Sequence, residues 1–406
     1  MSGSPIRTRS EIARSAANAL EKIGPAGLSA VSALVGFDGF IDSIIDVVDQ
    51  RQNMGPQGYT KFATIDQFAV RVGAASGKST NIELVVHEER FGGNGPLMAG
   101  ALGRAGLGVT YIGCVGKIDN PRELNPIYKE LANRCERVIP VSPPATTEAL
   151  EFEDGKVMLG KTHNIQRVNW ELLTKTIGAD ELKRMFARAR LIGMVNWVMM
   201  GGVESIWDGL CREVFPNLPE PPRGPDGSSG VRRVFIDLCD PAKRTDADIG
   251  NAMTLLKRMN RHVPVTLGLN QSEAERIASV LGLGVFDESS GRTLGEVIRE
   301  AAAAIRQALG IACVVIHPRQ GAGGAIVENG KTVAAWFEGP FTSKPKLSTG
   351  AGDHFNGGFA LAQAMGLGLE ECLAVGCATS GVYVRDALSP NLARLVEFLR
   401  SLPAAE

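Results

Sequence analysis

Apolar positions along this chain follow two alternating rhythms. From residue 190 onward, short apolar runs that suit buried strands ("RLIGMVNWVMM", "RRVFIDLCD", "VPVTLGLN", "ACVVIHP") take turns with other segments. In those ("ESIWDGLCREVF", "IGNAMTLLKRMNRH", "SEAERIASVLGLG", "TLGEVIREAAAAIRQALG") the apolar residues fall three and four apart. Strands alternating with helices predict a parallel sheet with helices on both faces.

The first half is less regular. The run Val31–Val35 ends in glycine and acidic residues, like a buried strand feeding a loop. "ATIDQFAVRVGAA" sets Ile65, Phe68, Ala69 and Val72 at helical spacing. "TNIELVVHEERFGGNG" alternates as a strand, "PLMAGALGRAGLG" reads as a helix closing on glycine, and "VTYIGCVGKID" is again strand-like. In "TTEALEFEDGKVMLGKTHNIQRV" short alternating pieces flank Asp154-Gly155, a hairpin signal. Antiparallel pieces around 37–60, 80–92 and 145–168 predict a small sheet separate from the main one. The first 25 residues alternate charge with small side chains and lack the apolar core of a signal peptide, so a surface helix is expected there. The Pro- and Gly-rich segment 216–233 lies within one crossover and reads as a mobile surface loop.

Composition narrows the classes. The 406 residues are 44% hydrophobic and 21% charged with a net charge of −1, which points to no nucleic acid or acidic membrane as partner. No apolar run approaches the roughly 18 residues of a membrane span. The seven cysteines include no C-x-x-C pair and mostly sit in apolar runs, as expected of free thiols in a reducing cytoplasm. The 48 glycines are more than average composition supplies, and they gather in short motifs.

One such motif, "GAASGKST" (73–80), is close to a P-loop, G-x-x-x-x-G-K-S/T. It fails on three counts. Gly73 and Gly77 are one residue too close, a helix precedes the loop and a strand follows it. A solvated turn with Lys78 exposed is expected.

A better phosphate site is "KLSTGAGDHFNGGFALAQAMG" (346–366). Gly350, Ala351 and Gly352 make a tight turn, Asp353 follows, and Phe355, Phe359, Ala362 and Met365 recur at helical spacing. A small-residue turn opening a helix gathers unpaired amides at the positive end of the helix dipole. A carboxylate there can take a proton from a hydroxyl while the amides stabilise a transferring phosphoryl group. It can also simply cap the helix.

This stretch resembles the C-terminal signature of the ribokinase-like (PfkB) carbohydrate kinases, D-T-x-G-A-G-D. The resemblance implies Asp353 as catalytic base and Gly350, Ala351 and Gly352 as anion hole. It departs at Leu347, where the family's first Asp belongs to a monovalent-cation site in some members, and at Ser348 for Thr. "FGGNGPLMAGALGRAGLGVTYIGCVGKID" (91–119) is similar to the N-terminal signature, implying Gly92, Gly93 and Asn94 at the sugar, with Leu97 where many members carry a second Asn. "GFDGFIDSIID" (36–46) looks like the first strand and its loop, implying Asp42 first and Asp38 second as ligands of sugar hydroxyls; without the family these are equally solvated loop acids.

"LGLNQSEAERI" (267–277) resembles the N-x-x-E motif, implying that Asn270 and Glu273 organise Mg²⁺ and phosphates, Glu273 through water. Read locally, it is a helix start that Ser272 and Glu275 could cap. "ACVVIHPRQGAGGAIVENGK" (312–331) looks like the glycine-rich turn near the adenine and ribose, implying Gly321, Gly323 and Arg319 as nucleotide contacts, although His317-Pro318-Arg319 replaces the usual Thr-x-Gly.

The expectation is therefore a ribokinase-like three-layer α/β/α domain over residues 31–400, with a mostly parallel central sheet and a small β-sheet lid. A helical extension, 1–30, precedes it. The implied activity is ATP- and Mg²⁺-dependent phosphorylation of a hydroxyl on a sugar or sugar-like molecule, with homodimer pairing through the lid as in relatives. A nucleoside kinase of the same fold, a non-catalytic sugar or nucleotide sensor, and a P-loop NTPase using Lys78 stand as rivals.

Overall fold

A computed structural model describes residues 7–223, 230–287 and 291–406. Residues 224–229 of the expected surface loop lie outside this range. The chain begins with α1 (Arg9–Ser29), β1 (Ser32–Phe37), β2 (Phe40–Arg51), β3 (Tyr59–Lys61), α2 (Ile65–Gly73), β4 (Leu84–Gly92), α3 (Asn94–Ala105) and β5 (Gly108–Gly113). It continues with α4 (Lys129–Arg134), β6 (Arg137–Pro140), β7 (Ala145–Phe152), β8 (Gly155–Lys161), α5 (His163–Gln166), α6 (Trp170–Ile177), α7 (Ala179–Arg188) and β9 (Leu191–Val195). Then come α8 (Val203–Gly209), β10 (Arg233–Asp237), α9 (Asp246–Asn260), β11 (Val265–Leu269), α10 (Gln271–Val280) and α11 (Leu294–Leu309). The chain ends with β12 (Cys313–Ile316), β13 (Gly321–Glu328), β14 (Lys331–Glu338), α12 (Ala351–Ala364), α13 (Leu369–Asp386) and α14 (Leu392–Arg400).

Nine strands form the main sheet in the order β14-β13-β12-β11-β10-β9-β1-β5-β6. Every pairing from β12 to β6 is parallel; the β12-β13 and β13-β14 pairings are antiparallel. The interior strands are buried throughout, as β9 and β11 illustrate, because helices cover both faces. One side packs Phe186, Trp197, Trp207, Leu256 and Ile298; the other packs Leu20, Met98, Phe359, Leu373 and Leu399. Strand order reverses at β1, which has β5 on one side and β9 on the other. At such a switch point the carboxyl ends of adjacent strands open a crevice for ligands.

The smaller sheet is built on β2, which leaves β1 with only Asp38 and Gly39 between them. Antiparallel β4 and β3 pair along one edge of β2, and parallel β7, followed by antiparallel β8, along the other. Ile45, Val47, Phe62, Leu150 and Phe152 form its own apolar cluster.

Several local expectations change. The N-terminal helix is not merely a surface element. It starts with a capping box of Thr8 and Glu11, kinks at Gly24-Pro25, and buries Ile12, Ala13, Ala16, Ala17, Leu20 and Leu28 against α13 and α14. The helix expected from Glu204 to Phe215 keeps α-geometry only to Gly209 and then widens into a π turn over Leu210–Val214. Gly321 and Gly323 lie in a strand rather than a turn. The reversal comes later, at Asn329 (φ 49°) and Gly330 (φ 74°), a hairpin with two left-handed residues. "GAASGKST" is a turn between α2 and β4, and Lys78 is exposed. All seven cysteines are unpaired thiols. Among the described residues, no helix is long and apolar enough to cross a membrane.

Candidate active site

Asp38, in the short link between β1 and β2, is fully buried. Its Oδ1 accepts from the Gly95 amide (2.8 Å), and its Oδ2 accepts from the Asn94 amide (3.0 Å) and from Nδ2 of Asn196 (2.7 Å). Burial pushes its pKa up to about 6 against these bonds. Three protein donors share this carboxylate, which holds the start of α3 in place; its expected role as a hydroxyl ligand would use the acceptor capacity they leave.

Asp42, the other expected acid, has fewer partners. It sits on β2, is raised above the usual carboxylate range by burial, and is drawn down in turn by the Thr147 hydroxyl, Arg90 and Lys156. A Cβ at Gly92 would lie 2.2 Å from its Oδ2, so only glycine leaves room for this carboxylate. Gly93 (φ 101°) is the N-cap of α3 and turns the chain so that Asn94 projects back.

Asn94 joins the two ends of the sequence. Its Nδ2 donates to Oδ1 of Asp353 at 2.8 Å, across 259 positions of chain. Asp353 lies in the first turn of α12, whose N-cap Gly350 has φ 88°. A side chain there would be strained and would also meet Leu97 (3.0 Å) and the Tyr383 hydroxyl (3.1 Å). Burial, followed by the charge of Asp237, lifts Asp353 well above the usual carboxylate range; Asn94 opposes the shift, and Asp38 and Glu273 add to it. The leading amides of α12 have no partner within the helix by construction.

Sequence reading missed the centre of this acid cluster. Asp237 ends β10; its Oδ2 accepts from Nδ2 of Asn356 (2.5 Å) and its Oδ1 from the Cys239 amide (2.7 Å). Asn356 stands three residues after Asp353 on the same side of α12. Asn196, just past β9, holds a left-handed φ of 66°. The available signal was a polar residue closing each apolar run, at the end where a parallel sheet binds ligands.

Asn270 and Glu273 do form a helix cap, with partners other than the expected Ser272 and Glu275. Asn270 is the N-cap of α10; its amide N and Nδ2 donate to the two oxygens of Glu273 at 2.8 and 2.7 Å. Burial, then Asp237, pushes Glu273 up to about 8.

Asn270, Arg319, Gly321, Ser348, Thr349 and Gly352 line a cavity of about 620 Å³ that opens at the start of α12. His317 also faces it and packs on Phe355 with ring centres 4.6 Å apart; burial pushes its pKa down to about 4, so the ring is neutral. Gly323 is a further correction. It does not line this cavity, and its Cα faces α11, where a Cβ would meet Ile298 at 2.8 Å. From the smaller sheet, Lys156 reaches across to Thr349 Oγ1 (3.3 Å) and to Glu151 (3.3 Å).

Among the described residues, no group of three or more His, Cys, Asp or Glu is arranged to ligate a metal directly. The cluster nonetheless suits a hydrated Mg²⁺. Asp38, Glu273 and Asp353 are each raised by burial and then by neighbouring carboxylates, and the bonds that oppose this come mainly from amides. A dication keeping several of its waters would supply the missing positive charge.

Residues 9–402 match the family described as prokaryotic ketohexokinase. A ketohexokinase from Haloferax volcanii is 29% identical over 395 residues, 97% of this chain and 97% of that protein. Ribokinase from Arabidopsis thaliana, solved with ribose and ATP, superposes with a TM-score of 0.58 at 16% identity, over 92% of this chain and 99% of its own. Phosphofructokinase-2 from Escherichia coli, solved with substrates and products, gives 0.57 at 14% identity, over 92% and 99%. Both share the ribokinase-like fold with this chain.

Proposed function

The chain belongs to the prokaryotic ketohexokinase family and is a carbohydrate kinase, a phosphotransferase with an alcohol acceptor; on that premise we propose that it transfers the γ-phosphoryl group of ATP to a hydroxyl of a ketohexose. The observation that carries this reading is the bond from Asn94 to Asp353. It brings the segment similar to the sugar-side signature against the carboxylate that follows Gly352, a residue lining the 620 Å³ cavity.

In this reading the sugar docks between the two sheets, with Asp42 accepting from its hydroxyls, since a carboxylate can accept from two at once. ATP fills the cavity beside Asn270, Arg319 and Gly321, its terminal phosphate at the start of α12. Asp353, ionised and oriented by Asn94, takes the proton of the attacking hydroxyl as the oxygen bonds to phosphorus and ADP leaves. The proton passes to solvent when the products depart. The amides of Gly350, Ala351 and Gly352 stabilise charge on the transferring group. Mg²⁺, when bound, supplies positive charge to the phosphates and the acid cluster. Glu273 and Asp237 would hold its water shell.

The test is ADP release from Mg-ATP over ketohexoses, aldohexoses, pentoses and nucleosides. A ketohexose is expected to give the highest kcat/KM. A nucleoside in first place, or binding by calorimetry without ADP from any compound, would overturn the assignment. Asp353→Asn is expected to fold normally and to lose at least ~10²-fold in kcat, the low end of acid–base contributions.

A further inference from the structure

The turn that opens α12 is made of a glycine, an alanine and a glycine, so nothing in its own side chains dictates how its peptide groups point. A peptide is planar, with C=O and N–H facing opposite ways. If the carbonyls of residues 349 and 350 swung toward the cavity, they would repel a phosphate instead of attracting it. The bonds from the Ala351 amide to the Ser348 carbonyl and from the His354 amide to the Gly350 carbonyl orient the second of these peptides; the first, between residues 349 and 350, needs a group from outside the turn.

Two side chains from the region of α13 and one from α12 meet at this point. The Tyr383 hydroxyl donates to the Thr349 carbonyl at 2.8 Å. His354 Nδ1 lies 2.7 Å from the Gly350 carbonyl, and its Nε2 lies 2.7 Å from Ser389 Oγ. A carbonyl can only accept, so Nδ1 carries the ring proton. Nε2 is then an acceptor, and the Ser389 hydroxyl donates to it. The relay has one direction: Ser389 to His354 to Gly350. The imidazole and phenol rings stack face to face, centres 3.5 Å apart and 13° from parallel, so each fixes the other. His354 is 1% exposed and Ser389 7%. The Thr349 carbonyl is held by Tyr383 on the side of α13, which turns the Gly350 N–H of the same peptide the other way; the Gly350 carbonyl also accepts from the His354 amide (3.1 Å), and the Ala351 N–H donates to the Ser348 carbonyl (3.2 Å).

We propose that Tyr383, His354 and Ser389 are positioning residues that hold the anion-hole turn with its amides presented to the phosphate and its carbonyls withdrawn. None of the three touches substrate; they act through the peptide groups of residues 349–351. Burial pushes His354 down to about 4, so the relay stays neutral and adds no charge of its own at working pH. Leu347 and Leu388, with Ser389, Tyr383 and His354, line a second cavity of about 370 Å³ behind the turn. The Thr349–Gly350 peptide has no backbone bond of its own helix to fix it, so its orientation rests on Tyr383, while the next peptide is shared between the relay and the first bond of α12.

The proposal rests on the kinase reading for its turnover arm and is independent of it in a binding arm. Tyr383→Phe keeps the stacked ring and removes one donor; Ser389→Ala removes the proton that sets the imidazole's tautomer. Each is expected to lower kcat at least ~10-fold, with KM for sugar and ATP changed less than about twofold, because misplaced groups cost transition-state rather than ground-state binding. Ser389→Thr, which keeps the hydroxyl, is expected to restore the rate. In calorimetry with Mg²⁺, both variants should bind ADP with fluoroaluminate at least fivefold more weakly than wild type, yet bind adenosine equally. Wild-type kcat in Tyr383→Phe and Ser389→Ala would overturn the proposal, as would unchanged fluoroaluminate affinity. A wild type that releases no ADP would instead sink the kinase reading and leave the calorimetric comparison to decide this one.

Discussion

At position 353 a carboxylate is kept where its charge is unwelcome, buried and near three other acids, with one amide side chain favouring its ionised form. In the proposed reaction, that makes Asn94 a regulator of when the base is available. Removing its hydrogen bond takes away an influence that lowers the pKa of Asp353. Asn94→Ala is therefore expected to shift the acid limb of the kcat/KM profile to higher pH, and to lower the plateau as the base loses its orientation. An acid limb that stays in place would show that another group titrates there. The turn around Asp353 was legible because its signals are local: a glycine run, a carboxylate and a helical repeat within one stretch. Asp237, Asn196 and Tyr383 were not. Each reads as an ordinary strand or helix residue until the fold brings it beside residues more than thirty positions away.

Among the elements, alternation of strands and helices was readable from residue 190 on, because parallel strands buried on both faces leave continuous apolar runs. The β13-β14 hairpin escaped notice although Asn329-Gly330 announces it, since the glycines of β13 drew attention as a loop. Gly323 serves close packing against α11, while Gly321 lines the cavity. The smaller sheet is tied to the core turn by Lys156 through its contact with Thr349. A partly exposed bond of this kind is worth about 1 kcal/mol at most. Lys156→Met is thus expected to raise the KM for sugar by no more than about fivefold. A sheet that closes less well admits water, so more ADP should form than sugar phosphate. Measuring both products in one reaction checks this; equal yields would show that Lys156 does not help closure.

For the molecule as a whole, the acid cluster sets a pH dependence of stability. Glu273, raised to about 8, and Asp38, raised to about 6, stay protonated in the folded state where the unfolded chain would ionise them. Their contribution is present at low pH and is lost as pH rises through the folded values. His317 and His354, lowered to about 4, work in the opposite direction: stability grows with pH until the unfolded value near 6.5 is passed. Above about pH 6.5 the acids act alone. Without Mg-ATP, the Tm should fall between roughly pH 6.5 and 8, as the unfolding free energy drops by no more than about 1.4 kcal/mol per pH unit for each proton of difference between the two states. Glu273→Gln, which cannot ionise, is expected to flatten that slope. A wild-type Tm that climbs through this range would contradict the placement of these carboxyls.

The seven unpaired thiols carry a consequence of another kind. Burial pushes every one of them above its ordinary value, Cys135 and Cys377 to about 12 and Cys211 and Cys313 to about 11. Alkylating reagents attack the thiolate, so the native protein should be nearly inert to iodoacetamide, and label should enter only as fast as the chain unravels. Mass spectrometry of the labelled sites would then time that event one cysteine at a time. Cys377, in the wall of the larger cavity, should slow further when Mg-ATP is added, giving a readout of nucleotide occupancy that needs no sugar and no turnover.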